Sequence, residues 1–233
     1  MSERVAVVLA GGLGTRIAPV ADGRPKVLLD VGGRPFIDRK LEELARNDVS
    51  AAVFLLGYGS EQVTAWLNEN PCRITVASVV DGPSLRGTGG ALLDCLPLLP
   101  ETFFLTYGDS LLTLDYADLE ARVLGDGKGR SCLAVVRPQE SMDARRNTAV
   151  RNGIVVAHSK ANQTHDMAWL DYGLSFMSKS NLQECALAER PADLSLLYES
   201  LCRRERLLAF ETQESYLEIG TPDSLAHVSR AVN

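Results

Sequence analysis

Residues Val5 to Lys26 read VAVVLAGGLGTRIAPVADGRPK, and this stretch decides how the rest of the chain is taken. Val5, Val7, Val8 and Leu9 lie in an unbroken apolar run, which suits a strand covered on both faces, as in a parallel sheet flanked by helices. The run passes directly into Gly11, Gly12 and Gly14. Without Cβ atoms there, a ligand can come close to the backbone and successive N–H groups can point at anionic oxygens. Arg16 adds a forked, permanent cation and Lys26 a compact one on a flexible stem. Strand, glycine loop and two cations together predict a phosphate-bearing ligand.

Two commoner glycine loops fail on the residues. A Walker A loop ends in Gly-Lys-Ser or Gly-Lys-Thr, and neither string occurs in the chain. A dinucleotide fingerprint needs a third glycine three residues beyond Gly14. Ile17 stands there, with Pro19 where the phosphate-binding helix would be running. An ordinary glycine turn explains the glycines but leaves Arg16 and Lys26 without a reason.

The string resembles the signature of sugar-1-phosphate nucleotidyltransferases: a strand, Gly-Gly-x-Gly-Thr-Arg, a proline, then Pro-Lys about ten residues after the arginine. Gly11, Gly12, Gly14, Thr15, Arg16, Pro19, Pro25 and Lys26 match it. The resemblance implies that a nucleoside triphosphate is joined to a sugar 1-phosphate with release of pyrophosphate. It implies further that Leu9, Ala10, Gly11, Gly12, Gly14 and Thr15 line the nucleotide, with Arg16 and Lys26 as the catalytic cations.

Bulk properties accommodate that reading. The 233 residues carry a formal charge of −6 with a pI near 5.2, which argues against non-specific binding to nucleic acid. No apolar run approaches the roughly 18 residues that span a bilayer, so a soluble cytoplasmic protein without membrane partners is expected. The five cysteines are widely separated with no C-x-x-C pair, and the three histidines make no ligand-spaced pair. Buried, reduced thiols are expected, with no zinc site. The length suits one domain over 1–233. Residues 1–137 are expected to form a nucleotide-binding half and 138–233 a sugar-binding half with a C-terminal helix.

Along the chain, strand and helix signals alternate. Val27–Val31 reads as a short extended piece turned by Gly32-Gly33, and Pro35 opens a helix to about Asn47. Ala51–Leu56, Ile74–Val79, Phe103–Tyr107 and Ser131–Val136 read as strands. Between them, Ser60 is expected to cap a helix through Leu67, Gly89-Gly90 leads into a helix ending near Pro97, and Tyr116–Leu124 is helical. This wiring predicts an α/β fold with a Rossmann-like, mostly parallel sheet flanked by helices. Beyond Pro138 the strands shorten, and Thr148–Val150 and Ile154–Ala157 form a hairpin around Asn152-Gly153. This is the expected smaller sugar-binding β region. A last helix runs from about Thr221.

Tyr107-Gly108-Asp109-Ser110 follows the Phe103–Tyr107 strand at once. Ligands of open α/β sheets gather at the carboxyl ends of strands, so Asp109 is expected beside the glycine loop. Its hard oxygen suits Mg²⁺, which takes one or two carboxylates and completes its shell with phosphate oxygens and water. The family resemblance implies the same role, and implies a second metal carboxylate in an Asp-x-Gly-Thr-Pro-like segment. Here that text is Glu218-Ile219-Gly220-Thr221-Pro222, a glutamate where the family has aspartate. Gly87-Thr88-Gly89 resembles the family's base-binding turn. Lys160, although its neighbours lack the family's flanking Glu and Pro, falls where a lysine touches the sugar phosphate. Asp171-Tyr172-Gly173 resembles the strand facing the sugar, and Gly108, beside Asp109, is expected to contact the sugar phosphate.

Markers within and after the first motif, Pro19-Val20, Asp22, Pro25-Lys26, Pro35-Phe36, Leu56-Gly57-Tyr58 and Glu61-Gln62-Val63, resemble the bacterial guanylyltransferases of D-glycero-α-D-manno-heptose 1-phosphate. They imply GTP as the nucleotide and a role in bacterial surface-glycan precursors. A uridylyl- or thymidylyltransferase for a hexose or muramyl 1-phosphate shares the scaffold, and a catalytically silent nucleotide-sugar-binding regulator is the alternative from another class. Physical reading of the residues leaves the base, the sugar and the oligomeric state open, a homo-oligomer included.

Overall fold

The computed structural model describes residues 3–82, 84–138, 146–185 and 190–232. In chain order the elements are β1 (Arg4–Leu9), α1 (Ala18–Ala21), α2 (Phe36–Arg46), β2 (Val49–Leu56), α3 (Ser60–Glu69) and β3 (Thr75–Val80). There follow α4 (Thr88–Cys95), β4 (Thr102–Tyr107), β5 (Ser110–Leu112), α5 (Tyr116–Asp126), β6 (Ser131–Val136), β7 (Thr148–Arg151) and β8 (Ile154–His158). The last are β9 (Leu170–Ser178), α6 (Lys179–Gln183), α7 (Leu194–Arg203), β10 (Leu207–Thr212), β11 (Tyr216–Glu218) and α8 (Pro222–Ala231). The chain forms two compact units. One comprises residues 1–85, 106–113 and 215–233, the other 86–105 and 114–214. Neither is a continuous half of the chain.

The first unit has the predicted α/β wiring. Its strands run in the order β3-β2-β1, with the end of β4 beside β1. β1 and β2 are parallel, with Val7 opposite Val53 and Val8 opposite Phe54, and β3 adds to β2 in the same sense. Ala6, Val7 and Val8 are fully buried, as the unbroken apolar run requires, and burying each valine contributes about 1.5–3 kcal/mol. Two local expectations are corrected. Val27–Val31 is extended only in its later part, where Leu29 is extended and Asp30 bridges Pro35: Lys26–Leu28 is a 3₁₀ turn, with Leu28 N donating to the Pro25 carbonyl at 2.9 Å and Leu29 N to that of Lys26 at 3.1 Å. The fixed φ of Pro25, −63°, starts this tight turn. Ser60 is the first residue of α3 and not its cap, which is Gly59 in the left-handed region.

A small antiparallel sheet of β5 and β11 was not foreseen from sequence. It sets Ser110 opposite Glu218, and Ile219 N donates to the Asp109 carbonyl at 3.0 Å. Beneath it Ile17, Leu29, Val31, Phe36, Ile219 and Val228 pack as one apolar cluster. α8 begins with a capping box, Thr221 and Ser224 each accepting the other's backbone N–H, which terminates the frayed N–H groups reciprocally.

The second unit is mixed, with strands in the order β4-β9-β6-β10-β8-β7. β6 and β10 are parallel, whereas β9, β8 and β7 join antiparallel. The predicted hairpin is present, with Asn152 and Gly153 both at positive φ. α7 and β10, which no sequence expectation covered, complete the unit. All five cysteines are unbridged, four of them buried; Cys72 departs from the expectation by being exposed. Burial pushes the Cys95 thiol to about 11 and those of Cys132 and Cys202 to about 12, far above the range of a reactive thiolate. Among the described residues no helix is long and apolar enough to cross a membrane.

Candidate active site

The first unit gathers four charged side chains from three segments that are distant in sequence. Each stands beside a buried residue that fixes its backbone: Arg16 beside Ile17, Lys26 beside Val27, Asp109 beside Ser110 and Glu218 beside Ile219. Anchors of this kind hold a loop without ordering it along its length. The Lys26 ammonium donates to Asp109 Oδ2 at 2.5 Å, both side chains being about four-fifths covered. A Cβ placed on Gly220 would come within 2.9 Å of Glu218 Oε1 and 3.5 Å of an Arg16 guanidinium nitrogen. Gly220 therefore leaves room for both groups. Burial pushes the Glu218 carboxyl above its ordinary range, the Asp109 charge pushes the same way, and Lys26 and Arg16 pull it back.

The glycines of the first loop do three different things. Gly11 allows backbone contact: a Cβ on it would lie 3.0 Å from Gly57 N, and its carbonyl accepts Tyr58 N–H at 3.3 Å. Gly14 adopts φ +61°, and a Cβ there would press on the Lys26 side chain at 3.2 Å. A Cβ on Gly12 would meet nothing within 4 Å, so no packing within the protein demands glycine at that position. Leu9 accepts Gly108 N–H at 2.9 Å, and a Cβ on Gly108 would press on Ala10 and Val27 at 3.0 and 3.1 Å. Gly108 thus lets the ends of β1 and β4 close up beneath Asp109. Thr15 and Arg16 are exposed.

Asp109 and Glu218 were read from sequence as the Mg²⁺ ligands, and their setting fits a hard dication. The Asp109 charge adds to burial in raising the proton affinity of Glu218, and both side chains offer oxygen donors of the type Mg²⁺ takes. Among the described residues no cluster of three or more His, Cys, Asp or Glu side chains forms a metal cage. That suits an ion completed by phosphate oxygens and water.

In the second unit the Gly87-Thr88-Gly89 turn is occupied by the protein's own chain. A Cβ on Gly87 would lie 2.4 Å from the Ala192 carbonyl oxygen, and one on Gly89 would lie 2.7 Å from that of Asp193. Gly89 N donates to the Ala192 carbonyl at 2.9 Å, and Leu194 N donates to Thr88 Oγ1 at 2.9 Å. Packing alone thus accounts for the glycines of this turn. Lys160 is 48% exposed and pairs with Asp193 at 3.3 Å. The Asp171 side chain is only 5% exposed: Oδ1 accepts Gly173 N–H at 2.8 Å and Oδ2 lies 3.8 Å from His158 Nε2. It faces the interior of its unit, on a strand, β9, that is covered along nearly its whole length.

Sequence reading missed Lys40 and Glu43, a fully buried ion pair on α2. The signal was present: Phe36, Ile37, Leu41 and Leu44 define the buried stripe of that helix, and positions 40 and 43 fall on it at helical spacing.

Strand, glycine loop, two cations and two carboxylates thus meet in the first unit, and comparison with known proteins gives the class of protein to which the chain belongs. Residues 6–143 match the model of the MobA-like NTP transferase domain, more than half of the chain, and the protein belongs to that family. It is 21% identical over 223 residues to the D-glycero-alpha-D-manno-heptose 1-phosphate guanylyltransferase of Campylobacter jejuni, covering 95% of this chain and 97% of that one. It is 26% identical over 207 residues to the N-acetylmuramate alpha-1-phosphate uridylyltransferase of Caulobacter vibrioides, covering 88% and 77%. Among solved structures, HddC from Yersinia pseudotuberculosis superposes with a TM-score of 0.81 at 22% identity, covering 99% of this chain and all of that one. That likeness carries the fold.

Proposed function

We propose that the protein transfers a nucleoside monophosphate from a nucleoside triphosphate to a sugar 1-phosphate, with GTP and D-glycero-α-D-manno-heptose 1-phosphate as the preferred pair. The observation that carries the reading is the convergence of Arg16, Lys26, Asp109 and Glu218 in the first unit. A phosphate oxygen of the sugar attacks the α-phosphorus; the new P–O bond forms as the α–β bridging bond breaks and pyrophosphate departs. The attacking oxygen is already ionised at neutral pH, so the chain need supply no general base. Its work is alignment and charge neutralisation. Arg16, forked and exposed, suits the triphosphate tail and the departing pyrophosphate. Lys26 suits the α-phosphate and the incoming sugar phosphate, exchanging its Asp109 partner for phosphate oxygens.

Mg²⁺ would be held by Asp109 and Glu218, and when bound it neutralises phosphate charge. Glutamate in place of the family's aspartate lengthens the second ligand by one methylene. Guanine is favoured by the subgroup markers and by the name of the relative that this chain matches nearly end to end. The uridylyltransferase relative, at a somewhat higher identity over less of its length, keeps UTP as the competitor. A cytoplasmic setting, where nucleoside triphosphates are made, follows from the substrates.

Pyrophosphate release from four nucleoside triphosphates, each paired with several sugar 1-phosphates, tests the reading. The expected maximum of kcat/KM is GTP with the manno-configured heptose 1-phosphate, abolished by EDTA and restored by Mg²⁺. A maximum with UTP or dTTP and a gluco-configured sugar overturns the guanylyl assignment. Binding of nucleotide sugar without turnover in any pairing makes the protein a silent regulator.

A further inference from the structure

Lys40 is wholly enclosed and Glu43 is 2% exposed. The ammonium uses all three of its protons. It donates to Glu43 Oε1 at 2.9 Å, to Thr106 Oγ1 at 3.0 Å and to the Ser110 carbonyl at 3.0 Å. Glu43 Oε2 accepts the Leu112 N–H at 2.9 Å. Thr106 and Ser110 are the two sides of the Tyr107-Gly108-Asp109 turn, so one ammonium ties the turn shut at its base. Leu112 lies in β5, whose other end sets Ser110 opposite Glu218 across to β11. A single ion pair on α2 therefore holds the segment that bears Asp109 and the strand against which Glu218 is placed.

Burying two charges is expensive, and well-packed apolar residues of similar volume often replace such a pair with equal or better stability. Apolar residues have no directional bonds to Thr106, Ser110 and Leu112. We infer that Lys40 and Glu43 are positioning residues that set the Asp109 and Glu218 carboxylates at the spacing a divalent cation and its phosphates require. The inference rests on the function proposed above and adds residues that neither the glycine signature nor the carboxylate motifs contain.

The test uses the full chain with Lys40 and Glu43 replaced together, Lys40→Met/Glu43→Leu, so that no lone charge is left buried. Two readouts need neither nucleotide nor sugar: amide hydrogen exchange, and binding of Mn²⁺ followed by its paramagnetic resonance signal. The double variant is expected to melt within a few degrees of the wild type while Mn²⁺ affinity falls about tenfold or more, the scale for removing groups that orient metal ligands. Exchange at 107–112 and 217–219 is expected to quicken by a similar factor. Faster exchange with unchanged Mn²⁺ affinity reduces the pair to structural support and overturns the inference; so does wild-type behaviour in both readouts, or a wild type with no Mn²⁺ affinity.

Should the double variant fail to fold, Thr106→Val removes one hydrogen bond at nearly constant shape. About threefold weaker Mn²⁺ binding is then expected on the same metal-ligand scale, and unchanged binding overturns the inference. A wild type that binds Mn²⁺ through an intact clamp yet turns over no substrate pair refutes the proposed reaction and leaves the positioning role standing.

Discussion

The two units each carry a turn with three glycines, and the turns differ in how far packing explains them. In the first, Gly12 borders open space and Gly14 makes way for the Lys26 side chain; in the second, Gly87 and Gly89 make way for the backbone of Ala192 and Asp193. Of the glycines compared, Gly12 alone has no packing reason within the protein, and it is the one left open for the proposed ligand. Charge follows the same division. Around the first loop two carboxylates crowd each other and Glu218 is held above its ordinary proton affinity. Around the second, Asp193 is already engaged by Lys160 and caps α7 at Ser195 N. Glu218, buried beside a second carboxylate, is the group that the proposed cation would relieve, whereas Asp193 is engaged within its own unit.

The sharpest way to break this contrast is to remove the cations of the first unit. Arg16→Ala and Lys26→Ala are each expected to lower turnover by about 10² or more, the scale of deleting a preorganised charge contact at a transferring phosphoryl group. Steady-state pyrophosphate release measures it. Thermal melts should stay near the wild type because the apolar anchors Ile17 and Val27 remain. Full activity in either variant would take that side chain out of the chemistry.

Glycine-to-alanine exchanges probe the loops themselves. Gly87→Ala sets a Cβ 2.4 Å from a backbone oxygen at φ +74°, so overpacking and left-handed strain together should cost roughly 2–4 kcal/mol. For a chain of this size that lowers the melting temperature by about 5–15 °C. Gly12→Ala should leave the melt unchanged, because its Cβ meets nothing within 4 Å, and should weaken nucleotide binding if the loop holds the nucleotide as proposed. If Gly12→Ala instead melts early while Gly87→Ala keeps its stability and loses nucleotide affinity, the assignment of the two turns is reversed.

What the residues disclosed, and what they hid, has a physical pattern. β1 was legible because a strand buried on both faces must be apolar without interruption, and the loop after it because glycine, arginine and lysine together have few other uses. β5 and β11 were not legible, because three-residue strands carry no periodicity; yet their pairing is what brings Glu218 alongside Ser110. Lys40 went unread because a lysine is ordinarily a surface residue, and only its place on the stripe of Phe36, Ile37, Leu41 and Leu44 marks it as enclosed. Glycines at 87 and 89 were legible as a turn, but the partner that requires them lies about a hundred residues downstream.

The crowding at Glu218 makes a prediction in which function and stability part. Its folded-state proton affinity is raised, so between the ordinary value of 4.5 and the raised one the folded protein holds more protons than the unfolded chain. Stability therefore declines as pH climbs through that window and stays lower above it. Glu218→Gln removes the cost. Without divalent metal it should gain stability relative to wild type at pH 7 and gain little at pH 4, while Mg²⁺-dependent turnover falls about tenfold as a carboxylate ligand is lost. Glu218→Asp should keep substantial turnover. A Gln variant with unaltered Mg²⁺ dependence would make Glu218 an ordinary part of the β11 strand.

The smallest effect is expected at Lys160, and it asks whether the second unit takes any part in phosphate binding. Its ion pair with Asp193 is half exposed on both sides, and such pairs contribute about 0–1 kcal/mol. Asp193 still accepts Ser195 N–H at 2.8 Å without it, so Lys160→Ala should leave the melt within a degree or two. If the lysine also meets the sugar phosphate, as its place in the family pattern implies, KM for the sugar 1-phosphate should rise about three- to tenfold, with kcat and KM for the nucleotide unchanged, the pattern of a lost uniform-binding contact. Lys160→Arg should recover most of that binding, because a phosphate accepts either cation. An unchanged sugar KM in the alanine variant would leave Lys160 a solvated partner of the α7 cap, and every catalytic charge in this proposal would then lie in the first unit.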